Sequence, residues 1–191
     1  MTIFLASRSP RRHQLLKQIG IEFEILDVDI DENWYGNELP LKHVERLALE
    51  KTRAGKLKIN MTVPFAILGA DTAVVLDNII LGKAENREQA ITMLTQLSGR
   101  MHHVYSSVAL VTDTREQIQT NVSRVCFRPL SREEMENYCD TDEPIGKAGG
   151  YAIQGRAAAF IERLEGSYSG VMGLPLYETA NLLRSVGYSV W

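Results

Sequence analysis

This sequence is poor in cysteine, in proline and in long apolar runs, and each shortage excludes a class of protein. Two cysteines in 191 residues, Cys126 and Cys139, are too few for a disulfide framework, and they show no metal-ligand spacing with the four histidines. Two reduced thiols are the plain expectation. No stretch reaches the ~20 apolar residues of a membrane-spanning helix, because Asp, Asn, Thr or Gly breaks each long run. The segment MTIFLASRSPRR sets its apolar residues ahead of its positive charges and has no signal-peptide cleavage pattern. A cytoplasmic protein without membrane attachment is expected. Positive charge is not in excess either: 21 Lys and Arg stand against 24 Asp and Glu, for a net charge of -3. General affinity for nucleic-acid backbone is therefore not expected, and any anion site has to be local.

What is present is an ordinary globular composition, 45% hydrophobic and 24% charged, enough to bury a core. No repeat, low-complexity block or Pro/Gly/Ser-rich linker divides the chain, so residues 1–191 are expected to form a single domain. Strand-like runs cover Thr2 to Ser7, Phe23 to Val28, Phe65 to Leu68, Thr72 to Leu76 and Ile79 to Leu81, with Asp77-Asn78 as a hairpin turn. Val104 to Thr112 and Gln117 to Phe127 flank a polar turn and predict a long antiparallel pair. Helical periodicity covers Pro10 to Ile19, Pro40 to Leu57, Arg87 to Leu97, Arg132 to Cys139 and Pro175 to Val186. Ser9 and Pro10 open the first helix and Gly20 closes it; Pro175 and Gly187 do the same for the last. Helices interleaved with hairpins imply an α/β fold on a mixed sheet, with the strand order left open.

The first strand, turn and helix carry the clearest chemistry. Free N–H groups at the helix start, the hydroxyls of Ser7 and Ser9 and the guanidiniums of Arg8, Arg11 and Arg12 could converge on one anion such as a polyphosphate. The glycines and the Lys-Ser/Thr ending of a Walker A loop are missing. A capped helix with solvated arginines is the plainer alternative. Asp71 follows the apolar AILGAD run, where a carboxylate could activate water or help hold a cation on phosphate oxygens, or simply cap a turn. Gly69 beside it allows close backbone approach.

The segment LASRSPRR, followed by a leucine-rich helix, resembles the opening signature of the Maf family of nucleotide pyrophosphatases. LEKT, LGADTAVVLDN, LGKA, LSGRMHHVYSSVAL, DEPIGKAGGYAIQG and GSYSGVMGLPLYET resemble further blocks in the family's order, from residue 5 to residue 179. The resemblance implies a Maf or ITPase-like fold, a mixed twisted sheet flanked by helices in two lobes around a cleft. It implies hydrolysis of a nucleoside triphosphate to the monophosphate and pyrophosphate, with Mg2+ or Mn2+ as cofactor. It makes Asp71 the general base, with Glu32 and Asp71 as metal ligands, although Glu32 also fits a solvated acidic loop. It assigns Ser7, Arg11, Arg12, Lys51, Lys83 and Lys147 to the substrate, though on composition Lys51 and Lys83 are ordinary surface lysines.

Within the family, the branch acting on dTTP and UTP carries the first Arg of the SPRR pair, a Thr after the Asp and a Gln in the IQG block. These stand here as Arg11, Thr72 and Gln154. The branch acting on 7-methyl-GTP shows Gln and Glu at the last two. A Gln amide both donates and accepts, which suits the carbonyl–NH–carbonyl edge of a pyrimidine, standard or modified. Two departures stand out: Ala84 replaces the usual Pro after Lys83, which is expected to loosen the backbone, and Gly146 replaces an Asp before Lys147. The family also implies a homodimer, which no apolar stripe demands. The competing function is a nucleotide-binding regulatory protein with little or no hydrolysis, which would have no need of Asp71.

Overall fold

The computed structural model describes residues 1–35, 37–60 and 63–190. The elements run β1 (Thr2–Leu5), α1 (Pro10–Gln18), β2 (Glu24–Ile25), α2 (Pro40–Lys56), β3 (Phe65–Leu76), β4 (Ile79–Leu81), α3 (Arg87–Leu97), β5 (Met101–Val111), β6 (Glu116–Phe127), α4 (Arg132–Cys139), a 3-10 turn (Arg156–Phe160), β7 (Ile161–Glu165), α5 (Tyr168–Met172) and α6 (Leu176–Ser185). One seven-stranded sheet joins them in the order β2-β1-β3-β5-β6-β7, with β4 added to β3. The β2–β1–β3 side is parallel and the rest antiparallel, so the sheet is mixed as expected. No helix among the described residues is long and apolar enough to cross a membrane. Cys126 and Cys139 are both free.

The alternation of side chains along β3 organises the core. On one face Ala66, Leu68 and Ala70 join a cluster with Leu15 and Leu16 of α1 and Leu182 and Leu183 of α6. Further along the same face Val74 and Leu76 join a second cluster, with Leu94 of α3, Met135 of α4, Phe127 and Tyr151. Thr72 is the polar step between them. The opposite face of β3 is covered by α2, where Val44 packs on Ala73 and Val75. That contact is close because Gly69 has no side chain; a Cβ there would lie 2.7 Å from the Ala48 carbonyl oxygen.

The sequence splits β3 in two, but the structure makes it one strand of 12 residues. Ile67 through Val75 pair without interruption with Val111 through His103, so Gly69 and Ala70 are carried through by the β5 ladder. Asp71 is thus mid-strand rather than at a strand end. The other edge of β3 is where the chain opens. Phe65–Leu68 pair with β1 and Val74–Leu76 with β4, and residues 69–73 have, among the described residues, a strand neighbour only on the β5 side. The 3-10 turn, β7 and α5 carry no periodic signal and escaped the sequence. Glu143 holds the 3-10 turn by accepting from the N–H groups of Arg156 and Ala157, and Ser167 caps α5 by accepting from Gly170 N at 2.9 Å. Ser9 does not cap α1 with its side chain. Its own N–H instead donates to Ser7 Oγ at 3.2 Å.

Candidate active site

The gap at residues 69–73 opens into a cleft of about 840 Å³, and all ten of the candidate residues line it: Ser7, Arg11, Arg12, Glu32, Lys51, Asp71, Thr72, Lys83, Lys147 and Gln154. Alternation sends Asp71 and Thr72 to opposite faces of β3, yet both reach the cleft because no strand covers that edge. Six cationic side chains line the cleft against three carboxylates, with Arg8 and Asp29 included, which suits a polyanion.

On the α2 face, Lys51 is 7% exposed and Asp71 8%. Lys51 Nζ lies 2.8 Å from Asp71 Oδ1 and 2.7 Å from Glu32 Oε1, while Lys83 Nζ lies 2.9 Å from Glu32 Oε2. Burial alone would raise the Glu32 carboxyl, but the two ammoniums outweigh it and hold it down at about 2. Among the described residues no three His, Cys, Asp or Glu side chains cluster as a metal site; the two carboxylates converge on Lys51 instead.

On the α1 side, Arg12 donates from Nε to the Gly173 carbonyl at 2.8 Å and from Nη1 to Ser7 Oγ at 3.3 Å. Burial pushes the Arg12 guanidinium down, Asp71 pulls it up and Arg11 pushes it down again. Arg11 is lowered by burial and makes no ion pair among the described residues. Lys147 is lowered first by burial and then by Arg11. Arg11 thus lowers both Arg12 and Lys147, and buried cations crowded in this way mark a place for an anion. Arg8 does not join them: it pairs with Asp27 at the rim, its side chain 70% exposed.

Lys83 and Lys147 are brought together by pairing between two loops. Ala84 N donates to Lys147 O at 3.1 Å, Gly146 N to Ala84 O at 2.8 Å and Gly149 N to Gly82 O at 3.0 Å. The Ala84 departure therefore does not loosen the backbone. It supplies an N–H that proline lacks, and that N–H is used. Gly146 has φ +71 and open space where a side chain would go. Gln154 is exposed and lines the cleft, with no hydrogen bond inside the chain among the described residues. Gly173 and the apolar lining residues Tyr151, Ile153 and Met172 lie in blocks quoted for their resemblance, but nothing in their residue types singles them out as cleft residues.

Comparison with known proteins places residues 2–186 on the family model described as Maf-like protein. A dTTP/UTP pyrophosphatase of Aromatoleum aromaticum is 49% identical over 97% of this chain and 96% of its own. Another of Alkalilimnicola ehrlichii is 53% identical over 95% of this chain and 91% of its own. Among solved structures, the Staphylococcus aureus Ham1 protein has a TM-score of 0.53 at 12% identity, covering 97% of both chains. That last likeness is one of fold alone.

Proposed function

The chain belongs to the Maf-like protein family, and from that premise we propose that it hydrolyses nucleoside triphosphates, dTTP and UTP foremost, to the monophosphate and pyrophosphate. Modified pyrimidine triphosphates with the same base edge fall in the same class. The observation that carries the proposal is a buried carboxylate, Asp71, held at 2.8 Å by Lys51 inside a cleft lined with six cationic side chains. A nucleotide sensor would have no use for that carboxylate. The family match runs over residues 2–186, which supports a single Maf-like domain over residues 1–191.

In this mechanism Ser7, Arg11, Arg12, Lys83 and Lys147 hold the triphosphate. Asp71 takes a proton from a water that attacks the α-phosphorus, the bond to the bridging oxygen breaks, and pyrophosphate leaves. Lys51 orients Asp71 and neutralises charge gathering on the phosphates. Gln154 and Thr72 read the base. Glu32 and Asp71 are the groups that would hold a magnesium or manganese ion. Their chemistry fits, since such ions take one or two carboxylates and complete their shell with water and phosphate oxygens. The ion, when bound, supplies charge neutralisation at the phosphates. Both oxygens of Glu32 are engaged by lysines, so to hold an ion Glu32 would have to share an oxygen with an ammonium or release it. The cytoplasm, where nucleoside triphosphates are made and used, and a homodimer belong to the same proposal.

The test is product analysis with magnesium and dTTP, UTP, CTP, GTP, ATP and 7-methyl-GTP. Pyrophosphate and monophosphate from dTTP and UTP are expected. Binding without turnover of any of them would overturn the proposal.

A further inference from the structure

Thr72 sits at the polar seam between the two apolar clusters, and its hydroxyl has two neighbours. Thr72 Oγ1 lies 2.8 Å from Ser106 Oγ, its registered partner across the β3–β5 ladder, and 3.3 Å from the Gly173 carbonyl oxygen. Ser106 is 1% exposed, and Thr72 is its hydrogen-bond partner. Gly173, at φ +130, ends α5 and turns its carbonyl back to the cleft, where Arg12 Nε also donates to it.

The direction of these bonds follows from counting protons. A carbonyl only accepts, so the Thr72 hydrogen goes to Gly173 O. The Ser106–Thr72 contact must then be a donation from Ser106. The reverse direction would leave the buried Ser106 hydrogen without an acceptor, which costs about 1–3 kcal/mol. Both considerations give the same relay, Ser106 Oγ–H to Thr72 Oγ–H to Gly173 O. It leaves Thr72 with no hydrogen for a ligand and one lone pair for whatever enters the cleft. From this we infer that Ser106 is a specificity-determining residue, which fixes Thr72 as a hydrogen-bond acceptor and so selects bases carrying a ring N–H over bases carrying a bare ring nitrogen. Thymine and uracil have N3–H; cytosine presents N3 as an acceptor. Ser106 works through Thr72 and is a positioning residue, not a catalytic one.

The inference rests on the nucleotide-cleft reading above, and its test is kept apart from turnover. Equilibrium titrations of dTTP and dCTP in metal-free buffer give a ratio of affinities for the wild type, Ser106→Ala, Thr72→Val, the double variant and Thr72→Ser. The expected result is a ratio about tenfold lower in Ser106→Ala, the scale of one neutral hydrogen bond. Thr72→Val should show a similar loss, the double variant no further loss, and Thr72→Ser a ratio near wild type. Equal weakening of both nucleotides in Ser106→Ala, an unchanged ratio, or losses that add in the double variant would each overturn it. Absence of dTTP hydrolysis by the wild type would overturn the proposed reaction and leave this ratio to be read separately.

Discussion

The two faces of β3 meet the cleft with different chemistry: Asp71 on one is locked to Lys51 and, through it, to Glu32 and Lys83, while the Thr72 hydroxyl on the other bonds to two neutral groups, Ser106 Oγ and the Gly173 carbonyl, the second of which Arg12 also holds. Adjacent residues can differ this much because side chains alternate along a strand. Both serve one cleft because residues 69–73 lie between the stretches of β3 that pair with β1 and β4. The charged face suits proton transfer and phosphate neutralisation; the neutral face suits discrimination between bases. Substitutions on the two faces should therefore separate rate from selectivity.

The largest effect is expected from Asp71→Asn. Losing a general base lowers kcat by roughly 10²–10⁴-fold, while dTTP affinity should hold or improve because a negative charge leaves a site built for an anion. Single-turnover kinetics beside a titration would check this, and a matching fall in affinity would erase the distinction between faces. Lys51→Met comes next. It leaves Glu32 and Asp71 converging on a position without its cation, so kcat/KM should fall by about 10²-fold and Tm should fall with it. The preference for dTTP over dCTP should stay as in the wild type, since Thr72 has no bond to Lys51.

The charged face was more legible in the sequence than the neutral one. Asp71, Lys51 and Lys83 stand in short motifs that resemble the family's blocks, although by residue type alone Asp71 could cap a turn and the two lysines are ordinary surface residues; the start of α1 at Pro10 and the paired β5–β6 follow from punctuation and period. The continuity of β3 was not visible, because Gly69-Ala70-Asp71 breaks the apolar run while the β5 ladder, a non-local feature, carries it through. Ser106 was equally hidden. It is one of two consecutive serines in VYSSVAL, and only strand register decides that Ser106 meets Thr72 while Ser107 meets Thr120. The α5 turn that supplies the Gly173 carbonyl is five residues long, too short for a helical period to register.

Acid should distinguish the two faces in stability as well. His102 lies on the Thr72 face, fully buried, with Nε2 2.8 Å from Tyr151 Oη and Nδ1 without a partner among the described residues. Burial, with a smaller push from His103, brings its pKa down to about 4 from 6.5. The unfolded chain therefore takes up this proton first: the contribution is whole above pH 6.5 and is lost as pH falls toward 4, to a limit of about 3 kcal/mol. His102→Gln keeps a polar partner for Tyr151 and should flatten a plot of Tm against pH across that window. Glu32 acts lower down. Held at about 2 against 4.5, it contributes above pH 4.5 and loses that contribution as pH falls toward 2. Its side chain is 41% exposed, so solvent screens the pairing and the effect is the smaller one. Glu32→Gln should leave the profile between pH 6.5 and 4.5 unchanged and reduce the slope only below it. A Glu32→Gln profile that also flattened near pH 6 would mean that the two faces titrate as one network.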